Sequence, residues 1–488
     1  MISKALEKAR AYESEAVKKI PAEERPGFHF SVPAGWMNDP NGFSVYKGEY
    51  HLFYQYYPYA PHWDSMHWGH AKTSDFVRWN YLPAALAPDR DYDSFGVFSG
   101  SALEEDGKHV LLYTGVSEEI SKDGKKQILQ NQCLAIGDGI DYEKCENNPV
   151  ITSDMLPVEN FREDFRDPKI WKEDDGYYAV VGSRSADESG QITMFKSKNL
   201  KDWEFWCILD KSENCYGKMW ECPDFFPVGK AHVLMVSPQD MEAEGLEFHN
   251  GNNTIFLIGT YDKKNRKFCR ENVQAVDYGL DFYAPQTMET GDGRRIMIAW
   301  MKSWDADIRT GEGEWSGMMT FPRELSLKNG RIFQNPVREL QQYYANPVVY
   351  EEVIWKNNTR LEEINGRMMD LCVETERGSC GKMEICLAQN EKYCTKILYD
   401  FEKSILHFDR THSGLRRDLN CQRSMHAENQ EGKIKIRILM DRYSVEIFVN
   451  DGESAMTSVI PTPMEAKEIT FCSEGEIRAR VSKFDIVV

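Results

Sequence analysis

The sequence lacks the features that mark several broad classes of protein. No apolar run approaches the roughly 18 residues that a membrane-spanning helix needs, and residues 1–20 contain no apolar signal core. Positive charge is also scarce: 59 Lys and Arg residues stand against 78 Asp and Glu residues, which gives a formal net charge of −19. Nucleic-acid backbones and anionic membrane surfaces attract basic surfaces, so we expect neither nucleic acid nor a membrane as a partner.

The 12 cysteines form no C-x-x-C pair and no zinc-binding spacing. Scattered cysteines of this kind are typical of reduced thiols, and together with the missing signal core they predict a cytoplasmic protein. His62, His67 and His70 suggest a metal site, but the chain offers no separate ligand set. We therefore expect no metal and no other cofactor.

The composition is that of a globular protein. Hydrophobic residues make up 41% and charged residues 28% of the 488 residues. A chain of this length is expected to form roughly two or three domains. Aromatic residues are abundant, at 12%, and such rings pack cores and also stack on sugars or bases.

Residues 1–20 are predicted to form one amphipathic helix, which Pro21 ends. Small and aromatic residues recur there at helical spacing: Ala5, Ala9, Tyr12 and Ala16. From Phe28 onward, short β-branched and aromatic runs alternate with turn residues, so the pattern changes from helix to strand.

A strand–turn–strand unit then recurs along the chain. Asp39-Pro40 leads into FSVYKGEYHLFYQ, and Asp167-Pro168 leads into IWKEDDGYYAVVG. Three further hairpins have the same shape, and the copies are spaced by roughly 60 residues. The five turn glycines are Gly48, Gly107, Gly176, Gly229 and Gly293. Five such units predict an all-β fold that contains a five-bladed β-propeller.

Equivalent positions begin the first strand of each unit. They are Asp39, Ser99, Asp167, Glu221 and Tyr283. In a propeller these positions meet at one end of the central channel, so three carboxylic acids would face a common funnel. Acids that merely cap separate turns are the alternative, but their shared register argues against it.

Residues after about 350 form a second strand-rich region without the repeat. The stretch NPVRELQQYY is typical of a short connecting helix, and 437–453 is typical of a hairpin with an Asn-Asp-Gly turn. We expect a β-sandwich packed on the propeller. The predicted division is an N-terminal helical extension (1–26), the propeller (27–334), a linker helix (335–349) and the sandwich (350–488).

Paired carboxylates at the mouth of an aromatic-lined channel are suited to glycoside hydrolysis. One carboxylate attacks or stabilises the anomeric carbon, and the other protonates the leaving oxygen. The two roles need different pKa values, and neighbouring like charges separate such values because they resist joint ionisation.

Ordered motifs make this reading specific. They are Gly35-Trp36-Met37-Asn38-Asp39-Pro40-Asn41-Gly42, Phe53-Tyr54-Gln55, Phe98-Ser99-Gly100-Ser101, Arg166-Asp167-Pro168, Trp220-Glu221-Cys222-Pro223, Asp281-Phe282-Tyr283-Ala284-Pro285 and Ala299-Trp300-Met301. The series resembles glycoside hydrolase family 32, which includes invertases, sucrose-6-phosphate hydrolases and fructanases. The resemblance implies a five-bladed propeller followed by a sandwich, in agreement with the repeat.

The resemblance also implies roles for the three acids. Asp39 matches the nucleophile that attacks C2 of the fructosyl unit, Glu221 the general acid/base, and Asp167 the acid that supports the transition state. The resemblance implies retention of configuration, so the carboxyl groups of Asp39 and Glu221 are expected to lie about 5–5.5 Å apart.

Further residues of the motifs are expected to bind the sugar. Asn38, Gln55 and Arg166 would supply hydrogen bonds, and Trp63, Phe98 and Trp300 would form walls, although Trp63 and Trp300 alone suit core packing equally well. Ser99 and Tyr283 lie in register with the acids. Cys222 would either tune the acid beside it or simply pack.

The resemblance leaves the substrate open. Sucrose, sucrose 6-phosphate and short fructo-oligosaccharides all fit, and a phosphate would need cations such as Lys302, Arg309 or Arg90 near the rim. A fructan exo-hydrolase or a fructosyltransferase of the same family is an alternative. A non-catalytic propeller that serves as a binding scaffold is the alternative from another class. Whether the chain forms a homo-oligomer is also left open.

Overall fold

The computed structural model describes residues 2–120, 124–157, 159–306, 308, 313–416 and 418–488. The N-terminal helix α1 spans Lys4–Ala16, and the Ser3 side chain caps it by accepting a hydrogen bond from the Leu6 N–H group at 3.2 Å. A 3₁₀ turn at Val17–Lys19 extends it, and a second follows at Ala22–Glu24. Within the described residues, no helix is both long and apolar enough to cross a membrane.

Antiparallel sheets form the blades of the propeller. The first blade contains β1 (Gly35–Tyr46), β2 (Glu49–Tyr57), β3 (His67–Thr73) and β4 (Asn80–Leu86). The second contains β5 (Gly96–Glu105), β6 (Lys108–Ile120), β7 (Lys126–Gly137) and β8 (Tyr142–Lys144). The third contains β9 (Asn160–Glu173), β10 (Gly176–Ser185), β11 (Gly190–Ser197) and β12 (Trp203–Lys211).

The fourth blade contains β13 (Met219–Val228), β14 (Ala231–Gln239), β15 (Ile255–Asp262) and β16 (Lys267–Ala275). The fifth begins with β17 (Tyr283–Glu289) and β18 (Arg295–Trp300). The short strand β19 (Trp315–Ser316) then pairs in parallel with β1 of the first blade. The chain returns to the fifth blade through β20 (Arg323–Lys328) and β21 (Arg331–Pro336).

The first strands of neighbouring blades contact one another in a closed ring, in the order β1, β5, β9, β13, β17 and back to β1. The five-bladed propeller is therefore confirmed. The predicted turn glycines Gly48 and Gly107 have φ angles of 78° and 71°, and each follows a residue of positive φ, Lys47 or Asp106. Hairpin turns of this kind need two left-handed residues, which explains the glycines.

A second, sandwich-like domain follows the propeller. A 3₁₀ helix at Arg338–Tyr343 leads into it. Its strands are β22 (Tyr344–Thr359), β23 (Met369–Glu376), β24 (Lys382–Gln389), β25 (Cys394–Asp400), β26 (Ile405–His412), β27 (Gln422–His426), β28 (Lys433–Met440), β29 (Ser444–Val449), β30 (Ser454–Val459) and β31 (Glu468–Ile486). Alternate residues of β28 are buried, as expected for strands with one face on a core.

A buried charge network joins the two domains. Arg323 of the propeller donates to Asp277 at 2.9 Å and also contacts Glu446 of the sandwich-like domain. The ring nitrogens of His29 lie 2.8 Å from Asp441 and 2.8 Å from Glu446. Although burial alone would lower the pKa of His29, its hydrogen bonds to both carboxylates raise that pKa to about 9.

Candidate active site

Each first strand of the propeller has a register irregularity where a predicted site residue lies. The shifts fall between Met37 and Pro40 in β1, between Phe98 and Gly100 in β5, and between Glu221 and Asp224 in β13. The strands β9 and β17 have matching shifts. Because a β-bulge bends a strand and re-aims its side chains, the recurring irregularity directs side chains from separate blades toward one point.

The bulges surround a cavity of about 370 Å³ at this end of the channel. The residues that line it are Asn38, Asp39, Gln55, Trp63, Phe98, Ser99, Gln130, Glu163, Asp164, Arg166, Asp167, Glu221, Gln239 and Trp304. A larger cavity, of about 590 Å³, lies among later residues of the first strands, such as Lys169 and Asp224. Its lining mixes cations and acids, and Lys169 and Asp224 form an ion pair of 3.1 Å. The three acids predicted for the site, Asp39, Asp167 and Glu221, all line the smaller cavity.

Asp39 is held by neutral hydrogen-bond donors, of which two are a hydroxyl and an amide. The Ser99 hydroxyl donates to Oδ2 at 2.7 Å, and the Asn38 amide donates to Oδ1 at 3.0 Å. The indole of Trp36 donates to the Asn38 carbonyl at 2.9 Å and thereby fixes that amide. Burial and the nearby charge of Glu221 raise the pKa of Asp39, and the hydrogen bonds oppose this rise.

Glu221 is held by a different set of donors. Nε of Arg166 donates to Oε1 at 3.0 Å, and Nε2 of Gln239 donates to Oε2 at 2.8 Å. The Tyr283 hydroxyl donates to Oε2 at 2.7 Å. Three donors from three blades therefore fix both carboxylate oxygens.

Asp167 has a left-handed backbone, with φ of 65°, which is unusual for a residue other than glycine. Its N–H group donates to the Thr114 hydroxyl at 2.9 Å, and its Oδ2 accepts from the Cys222 N–H group at 2.9 Å. Burial raises the pKa of Asp167. The Arg166 charge opposes this rise, and the carboxylates of Glu221 and Asp39 add to it.

The Cys222 thiol lies between two of the acids. Its Sγ is 3.5 Å from Oδ2 of Asp39 and 3.6 Å from Oδ2 of Asp167. Burial and the neighbouring carboxylates raise the pKa of this thiol well above its usual value, so it is a neutral donor. This position favours the tuning interpretation of Cys222 over simple packing.

Family models match almost the whole chain. The model described as "Glycosyl hydrolases family 32 N-terminal domain" matches residues 29–336, and "Glycosyl hydrolases family 32 C terminal" matches residues 339–487. The chain belongs to glycoside hydrolase family 32. The family expected from the motifs is therefore confirmed.

Several named proteins are similar to this chain over most of its length and of their own. A sucrose-6-phosphate hydrolase of Zymomonas mobilis is 38% identical and covers 97% of this chain and 94% of its own. A raffinose invertase of Escherichia coli is 37% identical and covers 92% of both chains. Among solved structures, the Bombyx mori β-fructofuranosidase has a TM-score of 0.85 with 32% identity, covering 99% of this chain and 98% of its own.

Two residues that were predicted to contact the sugar lie elsewhere in this family 32 enzyme. Trp300 is 0% exposed and does not line the cavity; it packs 4.9 Å from the ring of Trp304, which does. Tyr283 is also buried and reaches the site only through its bond to Glu221. Both side chains therefore support residues at the cavity surface.

Sequence reasoning missed several residues of the cavity. Gln239 ends the strand that pairs with the strand of Glu221, and the register Met219–Gln239 brings the two together. Asp164 accepts from Arg166 at 2.7 Å and forms a 2.7 Å ion pair with Arg184. The hairpin that carries Glu221 gave a signal for Gln239, whereas no motif pointed to Asp164.

The histidines considered for a metal have separate partners in this glycoside hydrolase. His70 lies 2.9 Å from His51, His67 contacts the Ser65 carbonyl at 2.9 Å, and His62 contacts the Trp63 carbonyl at 3.3 Å. Burial lowers the pKa of His67 to about 4, so its ring is neutral. These contacts give the histidines structural roles around the rim and the blade.

Proposed function

We propose that this chain is a retaining β-fructofuranosidase that hydrolyses the fructosyl bond of sucrose or short fructo-oligosaccharides. The observation that carries the proposal is the difference between two acids in one cavity. Asp39 accepts only from neutral donors, whereas Glu221 is held by Arg166 and two further donors. One carboxylate is thus suited to attack carbon, and the other is oriented to transfer a proton.

The proposed reaction has two displacements. Oδ of Asp39 attacks C2 of the fructosyl unit while Glu221 gives its proton to the glycosidic oxygen, so the C2–O bond breaks and the first product leaves. Glu221 then removes a proton from water, and the water oxygen attacks C2 and releases Asp39. Two inversions give net retention. In this proposal Asp167 accepts hydrogen bonds from fructose hydroxyls and supports the transition state.

The charge of the cavity favours an uncharged substrate. Its lining includes the carboxylates of Asp39, Glu163, Asp164, Asp167 and Glu221. Arg166 is the one cation among the described lining residues, and it already bonds Glu221 and Asp164. A phosphate dianion would meet several like charges at close range, which costs free energy in a partly desolvated site.

The cations considered for a phosphate clamp do not change this preference. The Lys302 ammonium lies over the Trp36 ring, 4.5 Å from its centroid, and the lysine is almost completely buried. The Arg90 guanidinium is 57% exposed and lies 3.9 Å from Asp89. Arg309 lies outside the described residues. Sucrose 6-phosphate is the second candidate substrate, because the Zymomonas mobilis relative carries that name.

We also propose a cellular compartment and a binding partner for this chain. The 12 cysteines are all free, which supports a reducing compartment such as the cytoplasm. The proposed partner is one small carbohydrate.

A substrate panel tests the proposal. The purified protein is assayed on sucrose, sucrose 6-phosphate, 1-kestose, inulin and levan, and kcat/KM is compared. We expect the highest values on sucrose or 1-kestose. Products of transfer to sugar acceptors would instead identify a fructosyltransferase, and preference for the polymers would identify a fructan exo-hydrolase. An absence of turnover on the whole panel would favour a binding scaffold.

Variants of the acids complete the test. Asp39→Asn and Glu221→Gln are expected to lower kcat by several orders of magnitude, because each removes one step of the reaction. Asp187→Asn is the matched control, since Asp187 is exposed on the third blade and pairs with Lys211. Undiminished hydrolysis in either active-site variant contradicts the roles. Time-resolved NMR of the first anomer released checks retention.

A further inference from the structure

Three neighbouring strands of the sandwich-like domain bring thiols together on one face. In β24, Met383, Ile385 and Leu387 are buried in the core, so the alternating residues Glu384 and Cys386 lie on the other face. The strand β31 places Cys472 opposite Glu384. The strand β25, on the other side of β24, carries Cys394 and Lys396.

The ligand atoms on this face are close together. The Cys386 thiol, the Cys472 thiol and a carboxylate oxygen of Glu384 all lie within 4.8 Å of one another. The Cys386 Sγ is 3.2 Å from Oε1 of Glu384. Cys386 is buried, whereas Cys472 and Glu384 are partly exposed, so an ion has a route from solvent. Within the described part of the chain, these three side chains form the one group of histidine, cysteine or acidic residues whose ligand atoms are close enough to hold a metal ion.

We propose that Cys386, Cys472 and Glu384 bind one thiophilic divalent cation such as Zn²⁺. Two thiolates and a carboxylate are ordinary ligands of zinc, with Zn–S distances of about 2.3 Å and Zn–O distances of about 2.0–2.2 Å. Ligand atoms within 4.8 Å reach such distances by small rotations of the side chains. Each thiol loses its proton to solvent on binding, so two protons are released per ion.

Neighbouring groups suit this site. The Cys394 thiol lies beside the Cys386 thiol but outside the group of ligand atoms that are all within 4.8 Å of one another. Lys396 lies 3.1 Å from Oε1 and 3.3 Å from Oε2 of Glu384. Two thiolates and one carboxylate carry three negative charges, so the complex with a divalent ion has a net charge of −1. The Lys396 ammonium, which is not a ligand, balances that charge. Soft sulfur ligands select zinc-like ions over Mg²⁺ or Ca²⁺.

The site is separate from the proposed hydrolysis, because all of its ligands belong to the second domain. A Co²⁺ titration of the full-length, chelator-treated and reduced protein tests it. Thiolate ligation of Co²⁺ gives sulfur-to-metal charge-transfer absorption in the near ultraviolet and intense visible bands from a tetrahedral centre. We expect these bands to saturate at one ion per chain, and to disappear when Zn²⁺ is added in equal amount.

Variants locate the ion. Cys386→Ser and Cys472→Ser are each expected to weaken Co²⁺ binding at least tenfold, and Glu384→Gln to weaken it less. Cys215→Ser is the matched control, because Cys215 is an exposed thiol outside the cluster. Far-ultraviolet circular dichroism and a cooperative thermal transition report that each variant is folded, and Cys472→Ser serves if Cys386→Ser does not fold.

Two results would overturn the proposal. One is the absence of charge-transfer absorption at equimolar Co²⁺. The other is equal absorption in the wild type and in both folded cysteine-to-serine variants of the cluster. Thermal unfolding gives a second readout, since an ion that binds only the folded state raises Tm in the wild type and not in Cys472→Ser.

Discussion

Nε of Arg166 donates to Oε1 of Glu221 at 3.0 Å. This bond fixes the direction of the carboxylate that is proposed to transfer the proton. We expect Arg166→Gln to lower kcat about 100-fold, the cost typical of removing one oriented donor from an active site. Steady-state kinetics on sucrose measure the change.

Arg184→Gln is the matched control for that variant. Arg184 pairs with Asp164 at 2.7 Å and is not among the hydrogen-bond donors to Glu221. A loss of kcat in Arg184→Gln as large as that in Arg166→Gln would show that the whole charge network, rather than the bond to Glu221, sets the rate.

The Cys222 thiol predicts a shift in pH dependence. Its hydrogen bond lowers the pKa of Asp39, against the larger effect of burial, which raises it. Cys222→Ala removes that bond without placing a β-branched side chain at the left-handed φ of 49° that Cys222 adopts, so the pKa of Asp39 should rise. Since the proposed attack requires ionised Asp39, the acidic limb of the kcat/KM profile should move to higher pH. Cys222→Ser keeps a donor and should move the limb less, and equal profiles in all three proteins would contradict the role.

The acidic side chains that line the cavity predict how substrate preference can be changed. Asp164→Asn removes one negative charge and releases Arg184 from its ion pair. We expect kcat/KM on sucrose 6-phosphate, relative to sucrose, to rise about tenfold, which corresponds to about 1.4 kcal/mol of relieved repulsion. Asp187→Asn serves as the control for a general change of charge. An unchanged ratio would place the phosphate away from Asp164.

Two tryptophans should respond in opposite ways. Trp63 is 41% exposed at the cavity rim, so Trp63→Ala should raise KM and leave Tm nearly unchanged. Trp300 is 0% exposed, so Trp300→Ala should lower the free energy of unfolding by about 3–5 kcal/mol. Kinetics and urea unfolding of both variants measure the contrast, and a Trp300→Ala protein of normal stability with raised KM would restore its predicted place in the pocket.

His29 makes the domain junction sensitive to pH. Its pKa of about 9 in the folded protein exceeds the ordinary value of 6.5. The difference corresponds to about 3 kcal/mol of stabilisation of the folded state when His29 is protonated. The stabilisation is complete below pH 6.5 and is lost as the pH rises through 9. Urea unfolding between pH 6 and pH 9.5 should show this decline, and His29→Gln should lack most of it. Equal pH dependence in the two proteins would assign the decline to other groups.

The repeat predicted the propeller because its signals are local. Turn glycines such as Gly48, and acids in register such as Asp39 and Asp167, can be recognised along the chain without knowledge of distant contacts. The motif of Trp300 does not distinguish a wall of the cavity from the layer behind it, where the structure places this side chain. The hairpin that carries Glu221 indicates Gln239 only once the register of its two strands is known. Asp164 lies on the strand of Asp167, but it belongs to none of the motifs.

The closed ring of first strands makes the candidate active site depend on the closure of the whole propeller. Asp39, Asp167 and Glu221 stand on the first, third and fourth blades, and β1 meets β17 only when both ends of the propeller come together. A chain with one blade unformed can have most of its secondary structure and no pocket. In refolding experiments, the recovered hydrolytic activity should therefore be proportional to the fraction of molecules with a closed propeller. This activity should recover more slowly than the far-ultraviolet circular dichroism signal.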